Sequence, residues 1–577
     1  MKKLLLLGVC FLFIQTVASQ SCNCDVTLSG LSSTTLNLVW ASNINYSPGD
    51  TICIPAGNHA GIRFYDFEGT LNNPVTFKNC GGQVILNETA YSALEFKNSK
   101  YIHLTGTGDA SYNYGIKIEE TGPWSMGMVL SAFSTDIEID HIEVADAGFA
   151  GLMAKTDPDC NNPDTWRTNG FVMKNLNIHH NYIHNTHGEG IYIGFTLGYK
   201  LDSGRNCSGT DVYGHWLENV DIHHNIVEDT GWDAIQLNLA NVNSKVRDNL
   251  IYNYGTQGNW GQSFAMSLGG GSYEVYNNFI ENGPLEKGWG MQIINGESGT
   301  KVYNNVFIKP KMHGIFLHNR HEFENLNEGY YVVNNTIIEP ERAGVHYNTT
   351  LLHPVDPVNL YNNQSEVPSY FINNLVVDPG YDFEGGNTWK QNQESYFDFN
   401  EKVTRDSLLT NIYSNIMTRQ IDTLDLTDVL NNDFSPASMS SAIVDAGSTM
   451  TSQGITFDID NASRPMGNQF DVGAYEFQSV PIPLKTRFPE DVELFDVLDE
   501  KQYQTFFYPN PTNSTFRLEN ENYQEVRIQL ITTEGKIVHT GDYRMGTSFN
   551  IEEYPAGLYF LIMIATDKTE THRLIIR

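Results

Sequence analysis

The chain has 577 residues, 40 % of them hydrophobic, which is enough to bury a large core. Its 68 acidic against 35 basic residues give a formal charge of −33, which argues against wrapping a polyanion such as nucleic acid over a general surface. An acidic polysaccharide could still be held in a locally basic groove.

Residues 1–19 combine Met1-Lys2-Lys3, an apolar run from Leu4 to Ile14, and Val17-Ala18-Ser19 before Gln20. This is the pattern of a signal peptide, and the apolar run is too short for a membrane span. No other stretch is expected to cross a bilayer. Past it lie six cysteines, at 22, 24, 53, 80, 160 and 207, an even number that suggests disulfides in an exported chain. Zinc is the weaker alternative, since Cys-x-x-Cys spacing is lacking. Residues 20–49 are read as an N-terminal cap and 50–435 as the main body.

That body carries a repeated phrase. It reads His-His-Asn-Tyr-Ile at 179–183, His-His-Asn-Ile-Val at 223–227 and Arg-Asp-Asn-Leu-Ile at 247–251. It returns as Tyr-Asn-Asn-Phe-Ile at 276–280, Tyr-Asn-Asn-Val-Phe at 303–307, Val-Asn-Asn-Thr-Ile at 333–337 and Ile-Asn-Asn-Leu-Val at 372–376. Most spacings fall between 24 and 30 residues, with 44 from Asn181 to Asn225 and 39 from Asn335 to Asn374. A period in this range signals a stacked solenoid, and the length that would otherwise allow three or four domains becomes one long body with small end pieces. A second phrase keeps step with the first: short strands begin at Ile191, Ile235, Met266, Met291, Ile315 and Val345, usually beside Gly. Alternation broken by Gly, Asn and Asp predicts strands, stacked in parallel about 4.8 Å apart. The repeated Asn is expected inside the solenoid, each amide bonding the next coil; the competing reading is that Asn only marks turns. The pattern resembles the right-handed parallel β-helix of pectate-lyase-like proteins over roughly residues 50–400. The fold class is therefore all-β: a right-handed parallel β-helix solenoid followed by a small C-terminal β-sandwich.

The resemblance implies a polysaccharide as partner, acted on by a lyase or, second, a hydrolase. Two long insertions, about 155–170 and 195–217, leave the same place on successive coils. They carry Trp166, Arg167, Tyr199, Lys200, Arg205, Tyr213, His215 and Trp216, aromatic and cationic groups suited to sugar rings and uronate carboxylates. Cys160 and Cys207 fall in these two loops and are expected to bond; Cys53 with Cys80 is the expected N-terminal pair. An outward row, Tyr192, Gln236, Ser267, Gln292 and Phe316, is read as a groove floor, with Lys155, Asn238 and His318 beside it. Packed loops and an ordinary solvated sheet face are the bland alternatives.

Glu189 and Asp233 occupy matching places on neighbouring coils, so they either share a proton, bind Ca²⁺, or divide acid and nucleophile work. His187 lies two residues before Glu189. A lyase would use Lys155, Lys200 or His187 as base with Arg167 or Arg205 on the carboxylate; a hydrolase would use Glu189 and Asp233. Family-specific active-site signatures are missing, so a non-catalytic glycan-binding or adhesin-like surface protein stands as the alternative. Calcium is the one cofactor considered, and a monomer is expected.

Residues 436–477, with Asp458, Arg464-Pro465 and Asp471-Val-Gly-Ala-Tyr-Glu476, are read as the closing cap, and the Pro- and acid-rich 478–504 as a linker. The tail, 505–577, contains Tyr508-Pro-Asn-Pro, a Gly535-Lys536 turn, Tyr554-Pro-Ala-Gly-Leu-Tyr and a basic last strand ending at Arg577. Its alternation predicts an antiparallel β-sandwich. It resembles the C-terminal sorting domain of type IX secretion cargo in Bacteroidota, which implies handling by that secretion machinery and a secreted or outer-membrane-surface location.

Overall fold

The computed structural model describes residues 22–478 apart from 89, 197–204, 297–298, 319–328, 349–368, 381–395 and 400–409, and the strands and turns between 506 and 576 other than 509–514, 520–524, 533–535, 545–546, 552–553, 556 and 565–568. The chain divides into two compact units, residues 1–491 and 492–577.

The first unit is a right-handed parallel β-helix. One coil shows the plan. Trp216–His223 runs to a corner at Asn225, Ile226–Glu228 follows, and after a second bend Ile235–Asn238 completes the turn. The strands on either side of the Asn corner merge with their counterparts into one sheet, with 24 strands among the described residues. The third strand of each coil stacks into a separate parallel sheet of 12. Its register is Leu152, Ile191, Ile235, Met266, Met291, Ile315 and Val345, as the phase of the two repeats requires. These residues point inward and are buried in one continuous core.

The Asn ladder is present and internal. Asn225 Nδ2 donates to Ile178 O on the preceding coil (2.9 Å) and to Asn249 Oδ1 on the next (3.0 Å), and its backbone N–H also donates to Asn249 Oδ1 (3.0 Å). The same pattern repeats at Asn249, Asn278, Asn305, Asn335 and Asn374, and ends on Asn415. Each amide thus satisfies main-chain groups that a tight corner in an apolar interior would leave unpaired. The turn itself is made by the residue before it. His180, His224, Asp248, Asn277, Asn304, Asn334 and Asn373 all have φ between 53° and 57°, the left-handed region that His, Asn and Asp enter more readily than most residues. In the Asn-Asn pairs the first Asn bends the chain and the second bonds the coils.

The small residue before each inward aliphatic is a steric requirement. A Cβ on Gly190 would lie 2.5 Å from Val227 Cγ1, because the third strand enters directly beneath the aliphatic that follows the Asn corner. Cys160 and Cys207 are bonded, with Cα atoms 5.2 Å apart. The other pairing differs from expectation: Cys22 bonds Cys80 and Cys24 bonds Cys53. Cys53 faces Lys78 while Pro55 faces Cys80, so Cys53 and Cys80 stand two residues out of register. Within residues 20–49, Val26–Thr27 and Asn37–Trp40 pair in parallel with strands of the following coils.

The segment 424–477 lies along several coils, the last one at Ile416 included. Leu424, Phe434, Ile443, Ile459, Val472, Ala474 and Tyr475 cover Phe279, Val306, Ile308, Ile338, Leu375 and Val377, outward apolar groups on successive post-corner strands. A buried polar knot shapes it: Arg464 Nη1 lies 2.6 Å from Glu476 Oε1 with both side chains fully buried, and the same guanidinium donates to the carbonyls of Asp471 and Gly473. The second unit is antiparallel: Phe506–Tyr508, Thr515–Glu519 and Ser548–Asn550 form one sheet, and Glu525–Thr532, Ile537–Arg544, Gly557–Ile564 and Thr569–Ile576 the other. Val526, Ile528, Leu530, Leu561, Met563 and Leu574 supply its core.

Candidate functional site

The bend that leads into the third strand gathers the most suggestive side chains. Backbone bonds stack its residues across coils: Gly188 N–H donates to Phe149 O (2.9 Å), and Trp232 N–H donates to Gly188 O (3.0 Å). Gly188 leaves a gap between its neighbours, since a Cβ there would sit 2.7 Å from the Phe149 ring. Phe149 and Trp232 close over the gap with ring centres 5.6 Å apart. Trp124, 64 % exposed, meets Phe149 (6.1 Å), His187 (5.8 Å) and Trp232 (6.3 Å). Gln257 braces this shelf, accepting from Trp232 Nε1 (3.2 Å) and donating to His187 O (2.8 Å). The shelf is partly open to solvent and made of rings.

One residue inside the shelf lie Glu189 and Asp233. They are on adjacent coils, joined by Gly190 N–H donating to Asp233 O (3.0 Å), and both are 1 % exposed. Asp233 Oδ1 accepts from Phe264 N–H (2.7 Å) and Ser267 lies near enough to favour the Asp233 carboxylate, while among the described residues Asp233 Oδ2 and Glu189 Oε2 make no hydrogen bond. Burial pushes the Glu189 carboxyl up to about 7, against the opposing pull of its own N–H and of Lys155. Burial, then the neighbouring Glu189, holds Asp233 well above the usual carboxylate range. Burial thus shifts both carboxyls toward the protonated form.

Most of the outward row beyond them is closed to solvent; Phe316, at its far end, is partly exposed. Tyr192, Gln236, Ser267 and Gln292 are in register, as expected, but all are buried, so they do not form an open groove floor. They bond to one another and to nearby groups: Tyr192 Oη with Thr196, Gln236 Nε2 to Thr196 Oγ1 (2.8 Å), Gln292 Nε2 to Ser267 Oγ (2.7 Å), and His318 Nε2 with Gln292 Oε1 (3.0 Å). Asn238 is buried, its Nδ2 without a partner. Lys155 crosses the Tyr192 ring at 4.3 Å, donates to its hydroxyl (3.2 Å) and pairs with Asp157 (3.0 Å). Burial lowers its pKa, but Tyr192 and Asp157 outweigh it and the net shift is upward, which makes Lys155 a poor base.

The loop residues are used structurally. Arg167 stacks 3.8 Å over Trp216 and donates through Nε to Gly214 O (2.8 Å); Trp166 Nε1 donates to Asp159 O (2.8 Å); Arg205 donates to Pro158 O (2.9 Å). Tyr199 and Lys200 lie outside the described residues. His187 belongs to the exposed shelf. Trp124, Phe149, Trp232 and Gln257 were absent from the expected set. Phe149 and Trp232 precede the inward aliphatic by three residues, a position the repeat could have flagged; Trp124 and Gln257 carry no sequence signal of their own.

The structure thus defines a parallel β-helix in which a ring-lined shelf and a buried acid pair occupy adjacent residues of one bend. Residues 506–577 match the family described as secretion system C-terminal sorting domain, which marks the protein for type IX export to the cell surface or beyond. Among the described residues no helix is long and apolar enough to cross a membrane. Nothing among curated proteins matches the chain. Solved structures similar in fold include a pectate lyase (12 % identity, 78 % of this chain and 98 % of that one, TM-score 0.37) and an alginate lyase from Paenibacillus sp. (17 %, 55 % and 98 %, 0.33). A lacto-N-biosidase from Eubacterium ramulus is also similar (9 %, 67 % and 68 %, 0.35). These likenesses concern the fold alone.

Proposed function

We propose that this is an exported polysaccharide-processing enzyme that seats a sugar chain on the Trp124–Phe149–Trp232–His187 shelf and cleaves it hydrolytically with Glu189 and Asp233. The observation that carries the reading is the buried acid pair directly beside exposed rings. A glycosidase needs one carboxylic acid still protonated at neutral pH to protonate the leaving oxygen, and burial provides that at Glu189. Asp233, its carboxyl one coil away, takes the partner role as a carboxylate, its proton passing to solvent water when the sugar opens the site, and it then faces the positive charge of the oxocarbenium-like transition state. With neither carboxyl exposed, the sugar must part the Phe149 and Trp232 rings to reach them.

A lyase is the second reading, favoured by the Lys155 ammonium held on the Tyr192 hydroxyl (3.2 Å), which sets a cation for a uronate carboxylate beside a hydroxyl that could accept a proton. The test is a panel of acidic and neutral polysaccharides, with reducing-end release and the ultraviolet absorbance of unsaturated uronates followed in parallel. Hydrolysis gives reducing ends without absorbance and is lost in Glu189→Gln; absorbance lost in Tyr192→Phe would replace it with the lyase reading. If no polymer is turned over but Trp232→Ala abolishes binding to a glycan array, the protein is a glycan-binding surface solenoid.

A further inference from the structure

We propose a divalent transition-metal site, of the kind that takes Zn²⁺, formed by His103, Glu138 and Asp140 on the pre-corner strands, in the other sheet from the shelf. His103 faces Glu138 and Thr105 faces Asp140 on the next coil, so the three side chains project from two neighbouring strands on one outer face. One ligand atom from each lies within 4.8 Å of the others. His103 Nε2 is 2.5 Å from Asp140 Oδ2, and the other Asp140 oxygen is already taken, by Thr105 Oγ1 (2.6 Å) and His141 Nδ1 (2.6 Å). Asp140 is therefore held with Oδ2 turned to His103. Glu138 is oriented likewise: His179 Nε2 lies 2.9 Å from its Oε1. Ligands fixed by a second layer of hydrogen bonds are what a metal site needs.

The donor set decides the class of metal. One imidazole nitrogen and two carboxylates match the charge of a 2+ ion and suit zinc or a similar transition ion, whereas calcium and magnesium prefer all-oxygen sets. Three protein ligands leave a further position for water. His103 and Glu138 are partly exposed, which gives the ion a way in. Bound there, the ion joins the coil at 100–105 to that at 135–140 by bonds stronger than the present His–Asp contact. The other close cluster, Cys22, Cys24 and Cys80, offers no thiolate because all three are in disulfides.

The experiment is isothermal titration of ZnCl₂ into the chelator-treated full chain, with CaCl₂ as comparison. One zinc per chain is expected, with binding weakened at least about tenfold in both His103→Gln and Glu138→Gln. Glu138 is partly exposed, so Glu138→Gln keeps the test informative should His103→Gln fail to fold by circular dichroism. No zinc binding, zinc unaffected by both substitutions, or zinc lost only in His180→Gln or His224→Gln would overturn the assignment. Calcium bound more tightly than zinc and weakened by Glu138→Gln would overturn the metal class.

Discussion

Glu189→Gln isolates what burial does to the acid pair. The free carboxyl titrates near 4.5 and the buried one near 7, a rise set by desolvation. The folded state therefore holds its proton over a pH range in which the unfolded chain has released it. Stability from this group is present in full below the unfolded value and is lost as pH rises through the folded one, about 3 kcal/mol in all at roughly 1.4 kcal/mol for each pH unit between the two values. The amide introduced by Glu189→Gln cannot ionise, so the variant keeps its stability where the wild type declines. Urea unfolding followed by tryptophan fluorescence, from about pH 5 to about pH 8, should give a curve that falls for the wild type and is flatter by about 3 kcal/mol in Glu189→Gln. Asp233→Asn should flatten the curve in the same direction, because burial shifts Asp233 the same way. Parallel curves for wild type and Glu189→Gln would refute the burial argument. Turnover is a separate arm: removing a true catalytic acid costs about 10² or more in rate, so a flattened stability curve with full turnover leaves the pair buried but not catalytic.

Asn249→Ala should cost about 3 kcal/mol in the same unfolding assay, because it strips an acceptor from the Asn225 N–H and a donor from Ile222 O in a fully buried corner. Arg464→Ala should cost about 3 kcal/mol or more, the loss from stranding a buried charge, unless Glu476, already raised to about 7, takes a proton; the loss should then be smaller at about pH 5 than at about pH 8. Cys160→Ser with Cys207→Ser opens a loop of sequence separation 47 and should cost at most about 4 kcal/mol, read as faster proteolysis between 160 and 207. Deleting residues 492–577 should leave the thermal unfolding of the remaining chain and any glycan turnover unchanged while the native host no longer exports it, because the tail has its own core.

The solenoid was legible because its restraints are local and repeated. A ladder Asn must sit at the same corner of every coil, and the inward aliphatic must follow the next bend at a fixed distance, so both leave a period in the sequence. Asn225, Asn249 and Asn278 and the register Ile235–Met266–Met291 could be read in that way. The N-terminal disulfides could not, because pairing depends on whether Cys22 and Cys24 run alongside the first coil, which no repeat announces. The acid pair was legible as a pair, since Glu189 and Asp233 share a repeat position, but not its state: a carboxyl's pKa is set by what covers it, and the 1 % exposure of both groups arises only once the coils are stacked and packed. The same ignorance of cover explains the groove that is not open. Tyr192, Gln236, Ser267 and Gln292 look like a polar outer face when counted along strands, yet their polar atoms are spent on one another and on Thr196 and His318. Polarity in a repeat marks the outer side of a coil; whether that side meets solvent is decided by loops that do not repeat. The shelf follows from this. Its rings stand where the bend leaves the sheet, beside the covered row, and Trp124, at 64 % exposure, presents an open aromatic face there.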